Sequence, residues 1–156
     1  MPLRDRADST DAAILRALTA NPEATTVAIA ESVGLARNTV RARRGRYEEH
    51  GVLRSFERRI DPAFLGYPIR AYIVTKVQQR RLDLVGIELA AVPEVLEVHG
   101  LSGVSDLLVH VAARDADDLY RIAGRILGIR GVKRTTTGLV MRELVEYRIA
   151  QLIDFP

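Results

Sequence analysis

At Gly51 the spacing of apolar residues changes. Before it they recur at helical intervals, as Ala12, Ile14, Leu15 and Leu18, and again as Val27, Ile29, Ala30 and Val33. After it they tend to alternate, most clearly in IRAYIVTKVQ, residues 69–78. A chain that switches period cannot be one helical bundle or one sheet sandwich. It must hold an α part followed by a part that contains a sheet, and the expected fold class is α+β.

The first part reads as three short helices. The first is capped by Thr10 or Asp11 and stopped by Asn21 and Pro22. The second runs from Thr25 to Val33, where Gly34 suits the left-handed turn that ends a helix. The third follows almost at once and ends at His50 and Gly51. Two helices joined by a few residues around a glycine have the spacing of a helix-turn-helix, plain or winged.

The later part reads as a strand at Val52–Ile60, a linker DPAFLGYP, a strand from Ile69, a helix at Leu82–Ala91 and a strand at Val95–His99. A turn GLSGVSD, a strand at Leu107–Ala112, a helix at Ala116–Leu127 and a strand at Thr135–Tyr147 complete it. From Ile69 onward the order is β-α-β-β-α-β, that of a ferredoxin-like sandwich. The expected division is a helix-turn-helix domain over residues 1–53, a linking strand and linker over 54–68, and a ferredoxin-like domain over 69–156, to which the family resemblance given below adds effector binding and oligomerisation.

Charge separates the same parts. Residues 1–60 carry 11 Arg against 8 Asp and Glu, whereas residues 61–156 carry 12 of each sign. The excess is concentrated in RNTVRARRGR, with Arg37, Arg41, Arg43, Arg44 and Arg46 and no carboxylate before Glu48. Like charges three and four apart on a helix repel one another, so the run asks for an external anion. In a helix-turn-helix the N-terminal end of the second helix meets base edges. Arg37, Asn38 and Arg41, with Thr39 beside them, are therefore the expected readers of sequence in double-stranded DNA. Arg43, Arg44 and Arg46 are expected on phosphates or on carboxylates of the same chain, and Val40 and Tyr47, seven apart, in the core.

Other chemistry is thin. There is no cysteine, which excludes disulfides and thiolate metal sites. No apolar run approaches the ~20 residues of a membrane span, and the start MPLRDRADSTD lacks the apolar core of a secretory signal, so a cytoplasmic protein is expected. His50, His99 and His110 have no convergent spacing, and Asp115, Asp117 and Asp118 fit a helix N-terminus. No paired-carboxylate, nucleophile-base or phosphate-loop pattern stands out, so neither enzyme activity nor a cofactor is expected. The turn GLSGVSD is the exception: Gly103 permits a positive φ, while Ser105 and Asp106 supply a hydroxyl and an acceptor for an ammonium or amide.

Taken in order, DSTDAAILRAL, IAESVGLARNTVRARRGRYEEHGVL, GLSGVSDLLVHVAARD and IRGVKRTTTGLVMRELVEY resemble the Lrp/AsnC, or feast/famine, transcriptional regulators across nearly the whole chain. The resemblance implies that the turn Gly103, Val104, Ser105 and Asp106 lines an amino-acid pocket between subunits, with Thr135 and Thr137 near it. It also implies homodimers built through the sheets and further assembly to octamers. Ala36, where a capping Ser is usual, Arg44 on an aliphatic side, and Gly45 in mid-helix depart from the family pattern. Two other readings use the same residues. One is an architectural DNA-binding protein without a ligand; the other is a relative of the sirohaem decarboxylases, which share the two-domain shape but need basic and imidazole groups where only His99 lies near the turn.

Overall fold

The computed structural model describes residues 6–153. Residues 1–5 and 154–156, which hold the outer ends of the expected first and last domains and the start of the segment read for a leader, lie outside the described residues. The chain divides into two compact units, residues 1–55 with 145–156, and residues 56–144.

The first unit holds α1 (Ser9–Ala20), α2 (Thr26–Val33) and α3 (Arg37–Glu49). Helix α1 is capped by Asp8 rather than by Thr10 or Asp11. The Asp8 carboxylate accepts from the backbone N–H of Asp11 at 2.8 Å, and the Asp11 carboxylate accepts from that of Asp8 at 3.1 Å. This reciprocal box satisfies two backbone donors where a single cap satisfies one. Thr25 caps α2 by accepting from Ala28 N–H, and Gly34 ends it at φ 67°, in the left-handed region. Ile14, Ile29, Ala30, Val40 and Tyr47 form the core.

No strand occurs in this unit among the described residues, so the helix-turn-helix has no wing. The strand expected at Val52–Ile60 is absent, and Phe56–Arg59 instead form one 3₁₀ turn at the start of the second unit. Alternation alone does not make a strand: its N–H and C=O groups need a neighbouring strand, and none of the described strands of this chain pairs with this segment. The C-terminal end also differs from expectation, since residues 145–156 group with the first unit rather than with the sheet domain. The Ala150–Leu152 3₁₀ turn and the buried Ile153 belong to that segment.

The second unit runs β1 (Ile69–Val77), α4 (Leu82–Ala90), β2 (Val95–Gly100), β3 (Leu107–Ala113), α5 (Ala116–Leu127) and β4 (Val132–Leu139). The sheet order is β2-β3-β1-β4 with every pair antiparallel, the ferredoxin-like arrangement. Side chains of β1 alternate, with Ala71, Ile73, Thr75 and Val77 buried toward the helices. They meet Val85 and Leu89 of α4 and Ile122 and Ile126 of α5, each pair four residues apart on one helical face. The other face of the sheet carries Arg70, Tyr72, Val74 and Lys76 of β1 and His110 of β3, whose ring stacks on Tyr72 at 4.6 Å.

The last strand is earlier and shorter than Thr135–Tyr147. Its pairing with β1 begins at Val77–Val132 and ends at Ala71–Leu139, with one further bond from Val140 N–H to Arg70 C=O. Beyond it β1 has run out at Pro68, which has no N–H to offer, so the apolar residues past Val140 have nothing to pair with.

Candidate nucleic-acid interface and effector turn

Helices α2 and α3 are joined by Gly34, Leu35 and Ala36. The N–H of Leu35 returns to Ala30 C=O at 2.9 Å, which fixes the reversal. Ala36 is the N-cap of α3, and no side chain caps the helix. The N–H groups of Arg37 and Asn38, which precede the first helical bonds from Thr39 and Val40 to Ala36 C=O, are therefore open to an outside acceptor.

The arginines of α3 fall into two groups. Arg37 and Arg41, with Asn38 and Thr39, are exposed and have no side-chain partner among the described residues. Arg43 and Arg46 instead reach α1: Arg43 contacts Asp8 at 2.8 Å and Asp11 at 2.9 Å, and Arg46 contacts Asp11 at 2.8 Å. The Tyr47 hydroxyl donates to the same Asp11 carboxylate at 2.7 Å. Arg44 lies within 3.4 Å of the Thr26 hydroxyl on α2. Burial pushes the Asp11 carboxyl up, but the Tyr47 hydroxyl, the Asp8 amide and Arg43 outweigh it and hold its pKa at about 2. Burial in turn pushes the Tyr47 phenol well above its usual value. The sequence offers Asp11 only as one of two caps for α1, and its larger role lies outside that reading: it is the buried anion on which α3 is docked.

The turn GLSGVSD, the candidate ligand site of the sequence, sits between β2 and β3. Gly103 has φ +112°, Val104 is 84% exposed, and Ser105 and Asp106 are half-buried. Asp106 already has partners: its carboxylate accepts from Val77 N–H at 2.8 Å and from Lys76 Nζ at 3.2 Å, and the Val77 amide is the main reason its pKa is lowered. Its own N–H donates to Thr75 C=O at 3.0 Å. Thr75 pairs in register with both Leu107 and Thr135, so Asp106 and Thr135 stand at the same end of the sheet with β1 between them. Thr137 lies opposite Ile73, further along β4, and is exposed. Nothing in the sequence pattern announced Lys76 as the partner of Asp106.

Residues 8–48 match the AsnC-type helix-turn-helix domain, and residues 70–150 match the Lrp/AsnC ligand binding domain. The chain belongs to the Lrp/AsnC family. The regulator AldR of Mycolicibacterium smegmatis is 35% identical over 141 residues, covering 88% of this chain and 82% of that protein. The regulator FL11 of Pyrococcus horikoshii is 32% identical over 135 residues, covering 86% and 89%. Among solved structures, E. coli AsnC superposes with a TM-score of 0.81 at 22% identity, covering 93% of this chain and 99% of that one. A Neisseria meningitidis regulator in complex with L-Met gives 0.78 at 23%, covering 90% and 94%. These two share the fold.

The protein is thus a transcriptional regulator with a DNA-binding helix-turn-helix and a ligand-binding domain, not an enzyme. In this Lrp/AsnC chain the helix-turn-helix match begins at the Asp8 cap and ends one residue after Tyr47, which spans the whole Asp11 anchor. His99 pairs with Glu97 at 3.2 Å, and no cluster of three metal-ligating side chains occurs among the described residues. No described helix is long and apolar enough to cross a membrane.

Proposed function

We propose that this protein is a cytoplasmic, sequence-specific regulator that reads DNA with the N-terminal end of α3 and responds to an amino acid or related small metabolite bound at the β2–β3 turn. The observation that carries the first half is the division of α3. Arg37, Asn38, Thr39 and Arg41 are exposed and uncommitted, whereas Arg43 and Arg46 are held by Asp8 and Asp11. Arg37, Asn38, Thr39 and Arg41 then supply base and phosphate contacts. Arg43 and Arg46 act mainly by fixing the angle of the helix, and Arg44 flanks the backbone from beside Thr26. A pair of such helices across a two-fold axis is what gives a small reading head its affinity, so a homodimer, able to assemble further into an octamer, is the working form.

For the effector, the exposed backbone of Gly103 and Val104 can approach a carboxylate, with Ser105, Thr135 and Thr137 near the same end of the sheet. The L-Met complex of the Neisseria regulator supports an amino acid as the ligand class. Asp106, tied to Lys76 and the Val77 amide, braces the turn and is the candidate partner for the ligand's ammonium.

Selection of bound duplexes from a random pool, followed by titration of the winner and a scrambled duplex at two salt concentrations, tests the DNA reading. Arg37→Ala should lose about 1–3 kcal/mol on the selected site and much less on the scrambled one. Equal loss on both would refute base reading by Arg37. For the effector, thermal shifts with each of the twenty amino acids on wild type and Gly103→Trp should show a stabilising hit that the variant loses. A wild type that no amino acid stabilises speaks for a DNA-binding protein without this ligand.

A further inference from the structure

After β1 the chain turns through Gln78 to Arg81 before α4 begins at Leu82. This turn is tied to the segment that leads into β4. The backbone N–H of Gln78 donates to Gly131 C=O at 2.8 Å, Arg81 Nε donates to Arg130 C=O at 2.9 Å, and Arg81 N–H closes on Gln78 C=O at 2.8 Å. Gly131 stands at φ +113°, and a Cβ there would come within 3.1 Å of the Arg81 Cβ and Cδ. Glycine at this position is what lets the Arg81 stem lie against the backbone. With Nε committed to a carbonyl, the terminal nitrogens of Arg81 remain for another acceptor.

Around this joint Gln78, Arg80, Arg81, Leu84, Arg130 and Gly131 line a groove of about 460 Å³. No carboxylate is among the lining residues, and none of the three arginines forms an ion pair among the described residues. Three guanidinium groups gathered without a counter-charge repel one another, and an anion between them would remove that cost. The groove falls within the size range of small-molecule sites, roughly 300–1,000 Å³.

We propose that this groove is a second ligand site, distinct from the β2–β3 turn, for a small anion bearing phosphate. The guanidinium fork matches phosphate oxygens two at a time, and the Gln78 amide can add a further donor. A zwitterionic amino acid fits badly, because its ammonium would meet only cations and a neutral amide. The phosphate could come from a soluble metabolite or from the DNA backbone. The concave shape favours the soluble source.

The test uses the full chain and inorganic pyrophosphate as the probe, titrated by calorimetry against chloride at matched ionic strength. Arg80 and Arg130 are exposed, so Arg80→Ala and Arg130→Gln keep the fold, which thermal unfolding checks. Wild type should bind pyrophosphate saturably, and each variant should weaken it about tenfold, the loss of one charge-assisted contact. Arg37→Ala should leave pyrophosphate binding unchanged, and the two groove variants should bind duplex DNA as wild type does. Absence of saturable binding overturns the proposal, as does binding lost only in Arg37→Ala. Reduced duplex affinity in the groove variants with pyrophosphate binding intact assigns the cluster to the DNA backbone and overturns it equally.

Discussion

Asp11 carries more of the helix-turn-helix than any arginine does. One carboxylate, 1% exposed, receives the Tyr47 hydroxyl, Arg43, Arg46 and the Asp8 amide. Removing it strands the buried phenol, and Asp11→Ala should cost about 2–4 kcal/mol. Tyr47→Phe, which keeps the ring and deletes one donor to a charged acceptor, should cost about 1.5–3 kcal/mol. Urea unfolding of the two variants checks both values. The Asp11 pKa is depressed from 3.8 to about 2, so its contribution is full above the higher value and is lost as pH falls through the lower. That contribution is about 2 kcal/mol. Unfolding measured between about pH 6 and pH 2 should therefore show wild type losing more stability than Asp11→Asn, the difference falling below about pH 4. Equal slopes would mean that the carboxylate is not held as its neighbours indicate.

Among the elements, α3 joins an uncapped start, a mid-helix glycine and an N-terminal half without partners. Gly45 has φ in the ordinary helical range, and a Cβ built there meets nothing within 4 Å. Gly45→Ala should thus stabilise the protein by about 0.5–1 kcal/mol through the unfolded chain's lost freedom. Thermal unfolding reads the gain, and a duplex titration of the same variant asks whether DNA needs the bare backbone. Unchanged affinity places Gly45 off the interface, while a loss places it where DNA comes close. At α5 the Asp115 cap was legible from the acidic run, because a short side chain ahead of a helix has few other uses. The second role of that run was not. Asp118 turns inward to accept from Arg114 N–H and from the Arg114 and Arg121 guanidiniums, which pull its pKa well down.

At the level of the whole molecule, each unit closes its own core. Every member of the sheet cluster lies between Ala71 and Ile129, and every member of the helical cluster lies between Ile14 and Tyr47. Residues 56–144 alone should accordingly fold cooperatively and fail to bind DNA, as circular dichroism on heating and a gel shift would report. A fragment that melts without a transition, or one that still shifts DNA, contradicts this division. What the sequence by itself determined was whatever depends on neighbours a few positions apart: the three helices, the Gly34 turn, the order β-α-β-β-α-β, and Val40 and Tyr47 as core. Period and capping are local, so they can be read locally. Tertiary structure decided the rest, because each outcome depended on a partner distant in the chain. The Val52–Ile60 segment found no strand to pair with, and β4 stops at Leu139 because β1 ends. Asp106 is engaged by Lys76 across a strand junction, and of the two partners open to Arg43 and Arg46 in the sequence, phosphates or carboxylates of the same chain, folding supplies the second by bringing Asp11 beneath them.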